Sequence, residues 1–354
     1  MWKKLKTGVV GCGWIGQSVH IPNYVQNPRS ELVAICDTNE ELLSKTKEKY
    51  NVKYAFTDYE ELLEGDLVEA ISVCTPTSTH SKIVVDAASH GVHTLCEKPL
   101  ALNMKEADEV LEAVSRSKIK FMVGFNCRFL PNHVRMRNYT NEGKIGRIIT
   151  SRGEVIATMG PFGNDVDKEF YRKETEKRVG AFFDMGVHLV DLFIWLFGKP
   201  IEVYASTMTF TEGVSADESS VVLVKFNNDI LTSITVAWLY LPDYLSMSNN
   251  KMLEIIGTEG KLESDLFGPS LYFYSKNSLA SKIGGKIRIL PRHLNPKVPD
   301  EALRWSYEKE IDSFLRAILE DKRPSITGEE AREVLRVTLA AYESSRTKSV
   351  VILR

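Results

Sequence analysis

The sequence is poor in cysteine motifs, in net charge and in long apolar runs. Its five cysteines include no Cys-x-x-Cys pair, which removes support for a zinc ribbon or a thioredoxin-like site. A formal net charge of −2 over 354 residues argues against a chain built to wrap nucleic acid. No apolar stretch approaches the roughly 18 residues of a membrane span, and the N-terminus lacks a signal-peptide pattern. We therefore expect a cytoplasmic protein with reduced thiols and no membrane partner.

The cysteines all lie in the first 127 residues, each at or near the end of a predicted strand. They could meet at one edge of a sheet as a metal or redox cluster. The alternative, which we favour, is that they are small, weakly polar residues beside a packed site, and we predict no metal centre. The five are Cys12, Cys36, Cys74, Cys96 and Cys127.

The first 127 residues alternate short apolar runs with helical stretches, which predicts a parallel sheet covered on both faces. A doubly wound domain of this kind binds its ligand beyond the carboxyl ends of the strands. The predicted strands are 5–10, 31–36, 68–74, 92–96 and 119–124, and the predicted helices are 14–27, 39–50, 78–90 and 103–117. Thr38 with Glu41 and Asn103 with Glu106 are the expected caps of two of these helices.

From about residue 150 the pattern changes to consecutive strands, which predicts an antiparallel or mixed sheet. The predicted strands are 202–210, 219–226, 230–238 and 251–256, followed by helices at 300–320 and 328–346 and a strand at 349–353. We divide the chain into a doubly wound domain, 1–127, and a second α/β domain, 128–354, whose last helices can pack back on the first. Residues 266–299 hold no acidic residue, which is typical of a solvated loop; alternatively, they hold an anionic part of the substrate, such as a phosphate.

A glycine-rich segment, GVVGCGWIGQS, joins the first strand to the first helix. Gly11 permits a tight turn, Gly13 lets the backbone approach a pyrophosphate, and Gly16 lets helix and strand pack closely. Asp37 ends the second strand, where a carboxylate accepts from ribose hydroxyls and repels a 2′-phosphate. The segment predicts an NAD site, with NAD preferred over NADP; a flavin or another nucleotide is the alternative.

Later strand ends carry polar motifs that should lie at the same edge of the sheet. These motifs are Thr75-Pro76, Glu97-Lys98-Pro99 and, two residues after Gly124, Asn126. Pro99 disfavours a helical conformation at the residue before it, so Lys98 should stay at the strand end. A surface Glu–Lys pair is the alternative for this motif.

A third group lies on an apolar helix predicted within residues 181–198. Asp184, His188 and Asp191 have helical spacing, which predicts a histidine with a carboxylate one turn away on either side. Such a histidine can act as a general base, while a lysine stabilises a developing alkoxide, as alcohol oxidation requires. A core histidine is the alternative.

Taken together, the motifs resemble those of the glucose–fructose oxidoreductase/inositol dehydrogenase (Gfo/Idh/MocA) family over essentially the whole chain. They are Gly11-Cys12-Gly13-Trp14-Ile15-Gly16, Thr75-Pro76 with His80, Glu97-Lys98-Pro99-Leu100, Gly124-Phe125-Asn126-Cys127-Arg128-Phe129, Asp184-Met185-Gly186-Val187-His188 with Asp191, and Pro324-Ser325-Ile326-Thr327-Gly328. The resemblance implies a Rossmann domain and an α/β domain with a large, mostly antiparallel open-faced sheet. It also implies homodimers or homotetramers through that sheet.

The resemblance further implies that Lys98, Asp184 and His188 match the family's catalytic lysine, aspartate and histidine. Expected substrates are sugars, cyclitols and nucleotide sugars. The family often has a glycine-rich run before the aspartate, whereas here residues 179–183 are bulkier, which predicts a narrower pocket. The expected cofactor-binding residues are Gly11, Cys12, Gly13, Trp14, Ile15, Gly16, Asp37, Thr38, Thr75, Pro76, His80, Glu97, Lys98 and Asn126, and further candidates for substrate contacts are Arg128, Arg172 and Asp191.

Three functions are compatible with these residues. The first is an NAD-dependent dehydrogenase acting on a secondary alcohol. The second is a glycosidase or lyase that retains NAD and uses transient oxidation, so that no net reduction occurs. The third is a non-catalytic NAD(H)-binding sensor, for which the complete catalytic set is superfluous.

Overall fold

A computed structural model of the chain describes residues 4–158, 180–210, 215–239, 250–276, 287–289 and 301–353. These residues form two compact units. The first comprises Met1–Asn126 and Arg304–Leu335, and the second comprises Cys127–Leu303 and Arg336–Arg354. Arg172 and most of the acid-free stretch lie outside the described residues. Among the helices that are described, none is long and apolar enough to cross a bilayer.

The described part of the first unit contains a six-stranded sheet in which every pairing is parallel. Its strands are β1 (Leu5–Val10), β2 (Ser30–Cys36), β3 (Tyr54–Phe56), β4 (Ala70–Val73), β5 (His93–Glu97) and β6 (Phe121–Gly124). The order β3-β2-β1-β4-β5-β6 reverses direction between β1 and β4, where a doubly wound sheet opens a crevice for a ligand. This confirms the predicted fold class, although the short strand β3 was not predicted.

Helices connect these strands. They are α1 (Ile21–Gln26), α2 (Glu40–Tyr50), α3 (Tyr59–Glu64), α4 (Thr77–Ser89) and α5 (Met104–Ser117), and a π-helical turn, Gly16–His20, precedes α1. The predicted Asn103 cap of α5 is confirmed, because its side chain accepts from the Glu106 N–H. The prediction that Thr38 caps α2 is wrong. Asn39 directly precedes the helix, and its side chain accepts from the Leu42 N–H.

The second unit contains a nine-stranded sheet, counted over the described residues, with the order β14-β13-β12-β11-β7-β10-β9-β8-β15. The strands are β7 (Ile148–Thr158), β8 (Pro200–Met208), β9 (Ser219–Phe226), β10 (Leu231–Leu239), β11 (Asn250–Gly257), β12 (Gly260–Asp265), β13 (Leu271–Ser275), β14 (Ile287–Ile289) and β15 (Val351–Ile352). All these neighbours are antiparallel except β7 and β10. The predicted mostly antiparallel sheet is therefore confirmed.

Four further helices are described: α6 (Pro131–Asn141), α7 (Val187–Phe197), α8 (Glu301–Leu319) and α9 (Gly328–Thr347). Helix α7 packs on the second sheet at Gly153, where an added Cβ would lie 2.6 Å from a Leu189 methyl carbon. Most of α8 belongs to the first unit, where Asp312 Oδ1 accepts from Asn27 Nδ2 and from Arg29 Nη1.

The segment that leads into α7 begins with a π-helical turn, Phe182–Gly186, which is anchored by distant residues. Its first N–H groups have no partner within the helix and require acceptors. Asp217 O accepts from the Ala181 N–H (2.8 Å), and Asp217 Oδ2 accepts from the Phe182 N–H (2.9 Å). The Tyr342 hydroxyl accepts from the Phe183 N–H (3.1 Å) and donates to Asp217 Oδ1 (2.6 Å).

Burial, together with the adjacent Asp217 carboxylate, raises the pKa of Tyr342 well above its usual value, so its hydroxyl remains a donor. Gly180 is required beside this anchor, because an added Cβ would lie 1.8 Å from Asp217 Oδ1. The start of the segment that carries Asp184 and His188 is therefore fixed by residues far away in sequence.

Replacing Asp217 by alanine should lower the free energy of unfolding by about 3 kcal/mol, because buried donors lose their acceptor. Urea denaturation followed by circular dichroism measures the change. Ser220→Ala is the matched control, since it removes only the Ser220 hydroxyl donation to Asp217 (2.7 Å) and should cost about 1 kcal/mol. Equal losses in the two variants would contradict the anchoring role.

Candidate functional site

The loop after β1 has the backbone geometry that its glycines predicted. Gly11 has φ +100°, and an added Cβ would lie 2.6 Å from the carbonyl carbon of Cys74. An added Cβ at Gly16 would lie 2.1 Å from Gly11 O. These two glycines therefore let the loop, the following helix and the end of β4 pack against one another.

Gly13 differs from the other two glycines, because an added Cβ would lie within 4 Å of no atom in the described residues beyond its chain neighbours. Packing among the described residues therefore leaves open space at this position, which fits the close approach of a ligand. Gly13 O also accepts the first helical hydrogen bond, from the Gln17 N–H (2.9 Å), so the helix begins here with N–H groups suited to an anion. The loop thus fits the pyrophosphate of a dinucleotide.

Asp37 supports this loop directly. Its Oδ2 accepts from the Cys12 N–H (2.7 Å), and its Oδ1 accepts from the Asn39 N–H (2.8 Å). A carboxylate has further acceptor sites, so Asp37 can still accept from a ribose hydroxyl. Of the remaining predicted residues of the loop, Trp14 is exposed and Ile15 is half-buried, while Thr38 beside Asp37 is exposed.

The five cysteines are all buried as free thiols. Burial, with a smaller contribution from Asp37, raises the pKa of Cys12 to about 12, and burial also raises the pKa of Cys36 to about 12. Burial raises the pKa of Cys74 and Cys96 well above the usual value. Such thiols stay protonated at neutral pH and behave as small packing residues.

The turn after β4 is held by His80. Its Nε2 lies 2.8 Å from Thr75 O and its Nδ1 lies 2.8 Å from Pro99 O, with the ring only 1% exposed. Burial lowers the pKa of His80. His80 therefore braces the Thr75-Pro76 turn against Pro99, and its contribution to dinucleotide binding stays a prediction. Thr75 is half-buried and Pro76 is exposed.

Lys98 lies at the end of β5, directly after Glu97, and is half-buried. The Glu97 carboxylate is 6% exposed; its Oε2 accepts from the Lys98 N–H (3.2 Å), and its Oε1 lies 2.9 Å from His20 Nε2. His20 Nδ1 in turn lies 2.9 Å from Ser72 Oγ, which lies 2.7 Å from the Tyr24 hydroxyl. This buried chain of hydrogen bonds explains why Lys98 is fixed at the strand end.

Asn126 follows β6 and is buried, and its Nδ2 donates to Ser306 Oγ (2.9 Å) on α8. The structure thus brings together, at one edge of the first sheet, the glycine loop, the Thr75-Pro76 turn and the Lys98 strand end. The ends of the neighbouring strands β1, β4 and β5 carry them.

In the second unit, Asp184 is half-buried within the π-helical turn, and His188 is 5% exposed in the first turn of α7. The predicted helix within residues 181–198 is confirmed, although the π turn interrupts the period of 3.6 residues between the two side chains. His188 Nδ1 lies 3.7 Å from Cys127 Sγ. The His188 ring packs edge-on against Phe267, with a centroid distance of 5.6 Å.

Arg128 and Asp191 form a buried ion pair, with side chains 4% and 0% exposed. Arg128 Nε donates to both carboxylate oxygens, at 3.1 and 2.9 Å, and Arg128 Nη2 donates to Oδ1 at 2.6 Å. Burial and this bidentate geometry show that the two charges stabilise each other, and the expectation that these residues also contact substrate stays a prediction. The contacts that Cys127, Phe267, Asp217 and Tyr342 make with the His188 segment were not predicted, since all of them are non-local.

The two loop glycines allow a test of cofactor binding separate from folding. Gly13→Ala should weaken NADH binding about tenfold, because its methyl group would occupy the space that the ligand needs. Gly16→Ala should instead lower the free energy of unfolding by about 1–3 kcal/mol, because its Cβ meets the backbone. NADH fluorescence titration and urea denaturation measure the two effects. Loss of stability in Gly13→Ala without loss of binding would contradict the assignment.

Comparison with known proteins assigns both units. Residues 5–125 match the oxidoreductase family with an NAD-binding Rossmann fold (GFO/IDH/MocA), and residues 133–263 match the GFO/IDH/MocA C-terminal domain. The chain is 28% identical over 355 residues to myo-inositol 2-dehydrogenase of Thermotoga maritima, covering 99% of this chain and 98% of the relative. It is 27% identical to the uncharacterized oxidoreductase YrbE of Bacillus subtilis, covering 97% and 95%.

Among solved structures, a probable dehydrogenase from Thermotoga maritima aligns with a TM-score of 0.80 and 27% identity, covering 98% of each chain. Both sheets, the glycine loop and these matches agree. The chain therefore belongs to the GFO/IDH/MocA oxidoreductase family and is an NAD-binding enzyme.

Proposed function

We propose that the chain transfers a hydride between a secondary alcohol of a sugar or cyclitol and NAD. The observation that carries this proposal is the position of Lys98. It lies at the same edge of the first sheet as the glycine loop, and Glu97 fixes its backbone there. A half-buried cation beside a dinucleotide site is suited to stabilise an alkoxide.

The roles of the proposed catalytic residues follow from alcohol chemistry. NAD held at the glycine loop would supply the hydride acceptor, so the hydroxyl proton must leave for a base. Lys98 stabilises the negative charge that develops on oxygen, His188 takes the proton, and Asp184 orients the hydroxyl. The sequence motifs and the geometry within each unit support this assignment.

The substrate class follows from the relatives. The match to a myo-inositol 2-dehydrogenase extends over nearly the whole of both chains, which supports a polyhydroxylated ring as substrate. The nucleotide-sugar alternative rested on the acid-free stretch 266–299, most of which lies outside the described residues. It is therefore retained as one arm of the substrate test.

Wild type should reduce NAD, measured by nicotinamide absorbance, with at least one member of a panel of inositols, aldoses and nucleotide sugars. His188→Asn should lower kcat by about 10²- to 10⁴-fold, because the proton loses its acceptor. Lys98→Ala should lower kcat by about 10²-fold, because the developing alkoxide loses its cation. The exposed residues Lys105 and His90 provide matched controls, as Lys105→Ala and His90→Asn.

Product formation without net reduction of NAD would point instead to the glycosidase or lyase. Full activity of Lys98→Ala would remove the assigned role of the lysine.

We also propose that NAD is preferred over NADP, because the Asp37 carboxylate lies beside the glycine loop and repels a 2′-phosphate. Asp37→Asn removes the charge and keeps one oxygen acceptor. The ratio of kcat/KM for NAD to that for NADP should therefore fall about tenfold or more. Steady-state kinetics with the two cofactors measure this ratio, and an unchanged ratio would show that another residue selects the cofactor.

The chain is further proposed to form homodimers or homotetramers through the second sheet. An apolar patch lies on the face of this sheet opposite Gly153 and α7. It consists of Tyr204, Val221, Leu223, Leu231 and Ile352, which are 43%, 49%, 37%, 47% and 58% exposed. The strand register places these side chains on one face. A contiguous exposed apolar patch is typical of an interface between proteins.

Leu223→Glu should convert the oligomer to monomers, because it introduces an unpaired charge at the centre of the patch. Size-exclusion chromatography with light scattering measures the mass. Val25→Glu is the matched control, since Val25 is 50% exposed on α1 of the first unit. A wild-type monomer, or a Leu223→Glu oligomer, would contradict the interface.

A further inference from the structure

The contacts around the His188 imidazole form a closed loop within the second unit. Cys127 Sγ lies 3.7 Å from His188 Nδ1, and the His188 ring packs at 90° against Phe267. Phe267 lies two residues after Asp265, whose carbonyl oxygen lies 3.2 Å from His133 Nε2. His133 Nδ1 lies 2.8 Å from Cys127 O, which closes the loop.

The residues that form this closed set of contacts are buried. Cys127 is 0%, His133 1% and His188 5% exposed. Burial lowers the pKa of His133 to about 4, so its ring is neutral at pH 7. Asn132 Nδ2 also donates to Asp265 O (2.8 Å). Cys127 is therefore held through its own backbone, and its thiol has a defined position against the imidazole.

The thiol faces Nδ1 of His188, so Nε2 is the nitrogen that can accept a proton from the substrate. An imidazole can take a proton on Nε2 only when its ring proton lies on Nδ1, and the partner of Nδ1 decides this tautomer. A thiol sulfur can accept a hydrogen bond, although weakly. It carries no charge, so it does not draw the ring toward the imidazolium form as a carboxylate does.

We propose that Cys127 is a positioning residue, whose sulfur accepts from the Nδ1–H of His188 and directs Nε2 to the reacting hydroxyl. This inference rests on the proposed function, in which His188 is the base. During the reaction the substrate O–H bond breaks and an Nε2–H bond forms. The Nδ1–H···Sγ contact is the same before and after the transfer, and the thiol keeps its own proton.

Cys127→Ser and Cys127→Ala form a matched pair. Both variants remove the sulfur and are smaller than cysteine, but only serine retains an acceptor for Nδ1–H. Two readouts are needed: steady-state kcat and KM, and NMR of the full-length protein labelled with ¹⁵N-histidine, which distinguishes the protonated nitrogen. The His188 signal is identified by its loss in His188→Gln.

In wild type and Cys127→Ser, the His188 ring proton should lie on Nδ1. Cys127→Ala should show a shifted Nδ1 signal and a kcat lowered about tenfold, with KM changed less than about twofold. Cys127→Ser should restore most of the wild-type kcat. Equal NMR spectra and equal kcat in the alanine and serine variants, or a wild-type ring proton on Nε2, would overturn the proposal.

The NMR readout requires no substrate, which separates this proposal from the proposed function. If His188→Gln is inactive while the serine and alanine variants behave alike, the dehydrogenase assignment stands and the role of Cys127 is wrong. If none of the alcohols in the panel supports NAD reduction by wild type, the proposed function is not supported. A His188 proton on Nδ1 whose signal changes with the residue at position 127 would still support the contact with the thiol.

Discussion

The close approach of the Gly11 turn to the end of β4 is the constraint on which the candidate site depends. A side chain at residue 11 would place its Cβ 2.6 Å from the carbonyl carbon of Cys74, and one at Gly16 would meet Gly11 O at 2.1 Å. Because β1, β4 and β5 are parallel neighbours, this packed corner aligns the dinucleotide loop with Lys98. Backbone packing thus sets the position of the cofactor site and of Lys98, the lysine proposed to stabilise the alkoxide.

Most of the first sheet could be predicted, because parallel strands buried on both faces appear in the sequence as continuous apolar runs. Strand β3 and helix α3 were not predicted because they are short, with three and six residues. Strand β7 escaped for another reason. It lies between β10 and β11 and contains Arg152, Gly153 and Glu154, which do not form an apolar run. Gly153 is required there because Leu189 packs closely against it.

The sequence indicated which polar residues lie in unusual places, but it did not identify their partners. Asp191 binds Arg128 through both oxygens, and helical spacing alone did not reveal this partner. The cap of the Asp184 segment comes from Asp217 and Tyr342, which no local pattern connects to it. Interactions between residues so distant in sequence depend on the tertiary fold. Patterns in a single sequence can therefore single out a polar residue without identifying the residue that it contacts.

The proposed reaction requires Lys98 of the first unit and His188 of the second to act on the same substrate oxygen. The most direct test is an experimental structure of the enzyme with NADH and a ketone product analogue. We predict that Lys98 Nζ and His188 Nε2 each lie within about 3.2 Å of the same carbonyl oxygen. Contact of that oxygen with other side chains, with Lys98 and His188 remote from it, would contradict the proposed mechanism.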